Sequence, residues 1–289
     1  MKTLKLLTAL FTIVFLSSCE DVIQVKLDKG TPLVTIDAFI NDMRSSQKVR
    51  LTYTDDYFSQ KPNVPISGAT VMLKDLTNGE VFNFNDHSNG DYTFDLGTND
   101  TIAKLNHQYE LVVTHQGTTY TAQSKVNRTT TIDSIDVKFE EAGAFGGEEG
   151  YRFSFFAMDP EGPEPDFYWI KSYRNGVFFN KGAEINIAWD GANGGEGADG
   201  LYFIPPIAQG ITPFGEVFNK FDVCRVEIHS INKETFNFLL QVQKQTTNSG
   251  LFATTPENVK CNIQSSNDKI KVVGWFCMSA VNAKEKTAL

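Results

Sequence analysis

The stretch Ala69–Leu96, ATVMLKDLTNGEVFNFNDHSNGDYTFDL, sets the fold class. It holds three short β-patterned runs separated by Asn78-Gly79 and Asn89-Gly90, the dipeptide that supplies the positive φ a tight hairpin requires. Working outward, LVTIDAFI and KVRLTYT precede it, and QYELVVTH and TYTAQSKV follow, with no helical period anywhere between. Seven such runs within about a hundred residues predict an antiparallel β-sandwich over residues 31–126, of immunoglobulin- or transthyretin-like kind.

Beyond it, the Thr-rich segment VNRTTTIDSIDV marks a change, and residues 127–289 read as a second β-rich domain. Its expected strands are IDSIDVKFE, YRFSFFAM, FYWIKSY, GVFFN, LYFIPPI and FDVCRVEIHSI, closed by a last core strand in DKIKVVGWFCMSAV. One helix is expected in NKETFNFLLQVQKQTTNSG, with Asn232 as N-cap, Phe236, Leu239 and Leu240 on one face and Gly250 as stop signal. The whole is therefore an all-β protein with a single helix in its second half.

The N-terminus has a different character. Lys2 and Lys5 precede Leu6–Leu16, an 11-residue apolar segment that fits the charged and apolar regions of a secretory signal and is too short to span a bilayer. Leu16-Ser17-Ser18-Cys19 resembles the bacterial lipobox. On that reading residues 1–18 are a signal peptide, Cys19 carries the lipid anchor, and residues 19–30 are a tether. Each buried CH₂ contributes about 0.8 kcal/mol, so several acyl chains attach a protein stably to a membrane. Glu20 and Asp21 resemble the acidic surface-export signal of such lipoproteins, which points to the outer membrane and its outer face.

Composition narrows the function. Without Lys2 and Lys5 the chain keeps 24 basic against 35 acidic residues, a net charge of about −11, and no basic cluster. A nucleic-acid partner is excluded, because a phosphate backbone requires a positive footprint. Hydrophobic residues at 41% and 23 phenylalanines predict a packed body. Cys224, Cys261 and Cys277 leave room for one disulfide with three possible pairings, while the apolar settings of Cys224 and Cys277 argue against a catalytic thiol.

Candidate chemistry is sparse. In the loop WDGANGGEGADG, Asp190, Asn193, Glu196 and Asp199 offer hard oxygen ligands for Ca²⁺, but their spacing is not that of a 12-residue EF-hand loop, and a solvated Gly-rich loop is the simpler reading. Asp159, Glu161, Glu164 and Asp166 lie among three prolines and read as a stiff connector. His87, His107, His115 and His229 lack zinc-site spacing, and neither a nucleophile elbow nor a phosphate loop occurs. No enzyme is expected and no cofactor is required. Aromatics are concentrated in FYWIKSYRNGVFFN, where alternation turns Phe167, Trp169 and Lys171 one way and Tyr168, Ile170 and Ser172 the other. That pattern reads as a strand covered on both faces, with a ligand platform of rings as the sharper alternative.

Taken in order, LVTIDAFIND, KVRLTYTDDYFS, VPISGATVMLKD, GDYTF, YELVVTHQGTTYTAQSKV, TIDSIDV, GLFATTPENVKCNI and VVGWF resemble the Bacteroidota lipoproteins known as domain of unknown function 4249. The likeness runs from about Asp21 to Val281. GATVMLKD also looks like the transthyretin-like modules common on that cell surface. The resemblance implies a lipid-anchored protein working beside a TonB-dependent outer-membrane transporter, and it carries no catalytic residue to transfer. A surface hydrolase using Asp190 or Glu196, and an adhesin or envelope-structural protein, are the alternatives. Intact mass of the native product should show a chain starting at Cys19 with acyl groups attached. An unprocessed leader, or a first residue without fatty chains, would overturn the anchor.

Overall fold

Residues Val34, Ile36, Ala38 and Ile40 of the first strand, β1 (Val34–Asn41), are buried, while Thr35, Asp37 and Phe39 point the other way. The same two-residue period shapes β2 (Gln47–Tyr53), β3 (Thr70–Asp75), β4 (Val81–Asp86), β5 (Asp91–Phe94), β6 (Gln108–His115) and β7 (Thr118–Lys125). Their inward faces meet in one core that includes Ile36, Leu51, Leu73, Tyr92, Tyr109 and Phe276. The computed structural model describes residues 30–56, 59, 61–97, 101–142, 148–192, 199–248, 254–255 and 257–289.

Both Asn-Gly turns are present, with a different chemistry from a two-residue hairpin. Gly79 and Gly90 have φ of 83° and 86°, but neither preceding asparagine has positive φ. Instead the Asp75 Oδ1 accepts from the Thr77 and Asn78 N–H groups, and the Asp86 Oδ1 accepts from Ser88 N–H. Aspartate side chains thus hold these loops together with Asn78 and Asn89, whose Oδ1 atoms accept from the Glu80 and Asp91 N–H groups, and glycine closes them.

The second half contains β8 (Ile132–Glu140), β9 (Gly150–Ala157), β10 (Phe167–Arg174), β11 (Val177–Phe178), β12 (Asn186–Trp189), helix α1 (Pro205–Gln209), β13 (Val223–Ile231), helix α2 (Lys233–Thr246), β14 (Gln264–Ser265), β15 (Val272–Ser279) and β16 (Val281–Thr287). Strands β10, β11, β12, β13 and β16 form one antiparallel sheet, and β8 pairs with β9 separately. A core of Ile135, Phe153, Phe155, Tyr168, Ile170, Val226, Ile228 and Phe218 lies between them. The fold class is therefore all-β with sandwich-like sheets.

Three expectations need correction. LYFIPPI does not form a strand through its prolines: Pro205 and Pro206 open the five-residue α1, because their fixed φ suits a first helical turn and their missing N–H groups are not needed there. Two α-helices are thus present among the described residues. The division into 31–126 and 127–289 does not follow the strand pairing either. Strand β14 pairs with β7, and β15 pairs in parallel with β1 from Val34↔Val272 to Asn41↔Ser279, so the C-terminal segment completes the first sheet. Residues 32–289 form one compact unit. Finally, the disulfide is not formed. Cys224 sits in the core of the second sheet, Cys261 packs against that of the first, and Cys277 lies in a third cluster under α2, all as free thiols.

The helix is as read. Asn232 caps it, its Oδ1 accepting from Thr235 N–H at 2.8 Å, and Phe236 and Leu239 are buried. Gly250 lies outside the described residues.

Gly274 governs the parallel pair. Its φ is +118°, and a Cβ there would lie 1.9 Å from the Ile36 carbonyl oxygen. Gly274→Ala is expected to cost about 3 kcal/mol in urea unfolding, combining forbidden backbone with overpacking. Gly117→Ala is the control: its φ is +78° with open space around it, so about 1 kcal/mol is expected.

Candidate functional site

Odd-numbered residues of β1 and β15 leave the first sheet on its outer side, where α2 lies across them. Phe238 of α2 stacks on Trp275 of β15 with centroids 4.4 Å apart, and the Trp275 indole N–H donates to Thr235 Oγ1 at 2.9 Å. This fixes the helix over β15 and leaves β1 uncovered beside it. From the second sheet, the β10–β11 hairpin brings Trp169, Phe178 and Phe179 to the same place. The result is a groove of about 360 Å³, floored by Thr35, Asp37 and Phe39 and walled by these rings and by Phe238, Leu239 and Trp275. That size and lining suit a small, mostly apolar ligand.

The aromatic hairpin is covered on one face and partly open on the other. Tyr168 and Ile170 are fully buried in the core of the second sheet, and Phe167 is covered by Phe236 of α2. Trp169 is only half-buried, edge-on to Phe39 with centroids 5.2 Å apart, and forms part of the groove wall. Lys171 follows on the same face. Its Nζ lies 4.0 Å over the Trp169 ring and within 6 Å of Phe39 and Phe178. Desolvation lowers its pKa to about 8, against the pull of Glu227 and Asp37.

Beneath these rings β13 carries a polar layer. Glu227 pairs across the strands with Lys171, and its carboxylate accepts from the Arg225 Nε–H (2.9 Å), the Tyr173 hydroxyl (2.9 Å) and His229 Nε2 (3.0 Å). Desolvation alone would raise its pKa, but these donors hold it at about 2. Burial lowers His229 to about 4, so the ring is neutral at pH 7 and its Nε2 carries the hydrogen toward Glu227. Sequence reading passed over this layer because its members alternate with apolar residues in VCRVEIHSI and look like interruptions of a core strand.

The acidic loops behave differently. Asn193 and Glu196, like Cys19, lie outside the described residues. Asp190 is buried, and its Oδ1 accepts from Asp166 N–H at 2.6 Å, so it serves the local backbone. Asp199 accepts from Gly162 N–H at 3.3 Å. Arg128, which sequence reading missed, clamps the Pro-rich segment through Asp166 Oδ2 and the carbonyls of Pro160 and Glu161. Asp159 is buried against the Tyr168 hydroxyl; desolvation, together with the charges of Asp166 and Asp190, raises its pKa to about 6. Among the described residues no group of three His, Cys, Asp or Glu side chains is arranged to hold a metal ion. No described helix is long and apolar enough to cross a membrane.

A family model, "Domain of unknown function (DUF4249)", matches residues 20–285. No curated protein matches the sequence. Among solved structures the chain is similar to the crystal structure of chicken CNTN1 FN1-FN3 domains, at 11% identity and a TM-score of 0.23. That match covers 72% of this chain and 65% of the other, so the chain spans less than two thirds of its length.

Glu227→Gln removes the charge that Arg225 and Lys171 face and is expected to destabilise the fold by about 3 kcal/mol at pH 7 in urea unfolding. A carboxylate with a lowered folded-state pKa contributes fully above its unfolded value of 4.5 and loses that contribution as pH falls toward about 2. The gap between variant and wild type should therefore narrow on acidification below pH 4.5.

Proposed function

The chain belongs to the DUF4249 family, and from that premise we propose that it is a lipid-anchored binding protein of the outer membrane, an accessory subunit to a TonB-dependent transporter. The groove between β1, the β10–β11 hairpin and α2 is its ligand site. The observation that carries this reading is the groove itself: a concave, ring-lined surface of about 360 Å³ left open between elements that elsewhere pack closely. Its walls come from residues locked by stacking, a hydrogen bond and the polar layer beneath, so little ordering is needed when a ligand enters.

The lipobox-like Leu16-Ser17-Ser18-Cys19 supports membrane attachment, and the acids that follow support display on the outer face. A net negative charge suits a partner other than nucleic acid. The hydrolase reading through Asp190 has less behind it, because that carboxylate is buried and bound to the Asp166 N–H.

Two measurements test the proposal. The neutral apolar fluorophore N-phenyl-1-naphthylamine should bind saturably to wild type, and Leu239→Trp, which fills the groove, should abolish the signal; equal signals would remove the groove from the account. Affinity purification from solubilised outer membranes should recover a channel-forming transporter. Recovery of the protein alone would remove the accessory role.

A further inference from the structure

Polar groups in the groove are few, and two of them lack partners. Thr35 Oγ1 is buried without a hydrogen bond. Asp37, two residues along the same face of β1, has no hydrogen-bond or ion-pair partner among the described residues, although it lines the groove. The two side chains stand about 7 Å apart along the strand. Cations near Asp37 are engaged elsewhere: Arg50 and Lys48 on β2 both turn to Asp91, at 2.7 and 3.9 Å, and Lys171 faces its cross-strand neighbour Glu227. Asp37 is reached by solvent yet crowded by protein. Desolvation raises its carboxyl above the ordinary range despite Lys171, Lys48 and Arg50. Asp37 is exposed, and its solvated carboxylate beside the apolar rings offers charge-assisted hydrogen bonds that no described residue takes up, which a ligand with positive charge and N–H donors can use.

The rings fit the same guest. Trp169, Phe39 and Phe178 already hold one ammonium, that of Lys171, so these walls receive the apolar body of a guest and leave its charge to Asp37. A ligand carboxylate, by contrast, would meet Asp37 directly.

Building on the groove as ligand site, we propose that its ligand is a small amphipathic cation: a compact apolar or aromatic body bearing one ammonium, which donates hydrogen bonds to Asp37 while the body stacks between Trp169, Phe178 and Phe238. Asp37 is the specificity-determining group, because it alone distinguishes an ammonium from an isosteric neutral group. The aromatic walls set the shape and apolarity of the remainder.

Trp169 and Trp275 line the groove, so their fluorescence reports occupancy. Titration with 4-phenylbutylammonium, 4-phenylbutanol and 4-phenylbutanoate compares one body with three end groups. The ammonium is expected to bind about ten-fold more tightly than the alcohol, and the carboxylate most weakly. Asp37→Asn should erase the advantage of the ammonium and leave alcohol binding unchanged, which also shows that the variant is folded. Equal or tighter binding of the carboxylate, persistence of the ammonium preference in Asp37→Asn, or tighter binding of a maltodextrin than of the amine would each overturn the proposal. Binding of N-phenyl-1-naphthylamine with no preference among the three end groups would overturn this inference and leave the groove as a site. Failure of every probe would remove both.

Discussion

The contact between the backbones of Gly274 and Ile36 is the constraint on which the rest depends. Only a residue without a side chain allows β15 to lie against β1 at this point, and with it eight residue pairs run in parallel along the two strands. That ladder does three things at once. It covers the edge of β1, it places Val273 and Trp275 level with Thr35 and Asp37 on the outer side, and it delivers the chain through Ala280 into β16 of the other sheet. Ser230 fastens the crossing, its hydroxyl accepting from Ala280 N–H at 2.9 Å. The groove is thus a product of the sheet's closure rather than of any one loop.

Its rigidity has a cause in the polar layer of β13. Glu227 collects donors from Arg225, Tyr173 and His229, so each buried polar group of this layer has an answering partner, and the layer holds Lys171 and the rings above it in place. Asp37, outside this layer, is a carboxylate on the groove floor without a hydrogen-bond or ion-pair partner among the described residues. Structural needs explain Glu227; they do not explain Asp37.

Much of the first sheet was legible in the sequence because its strands carry alternation and its turns carry glycine. The turn chemistry was only half legible: Asp75 and Asp86 share the work that Asn78 and Asn89 suggested, since a short carboxylate reaches its own turn's N–H groups as readily as an asparagine amide. Helix α2 was legible through Asn232 and the spacing of Phe236 and Leu239. The parallel pairing of β15 was not, because register between strands more than two hundred residues apart leaves no local trace; VVGWFCMSAV reads equally well as the core of either sheet. Trp169 was legible as a candidate wall residue, whereas Asp37 in LVTIDAFI looked like an ordinary outward polar position. Acid-rich loops drew attention by composition, yet Asp190 and Asp199 serve neighbouring backbone. Composition marks where charge is dense, and only the fold shows which charge lacks a partner.

The late return of β15 also sets the order in which the molecule is completed. A ribosome delivers β1 early and β15 near the end, so a nascent chain carries an open strand edge through most of its synthesis, and the long loop must close before that edge is protected. High sequence separation between paired strands slows folding and lengthens exposure to aggregation. Until β15 arrives, that edge is a template on which a second copy's strand can add, so partly made chains are the aggregation-prone species.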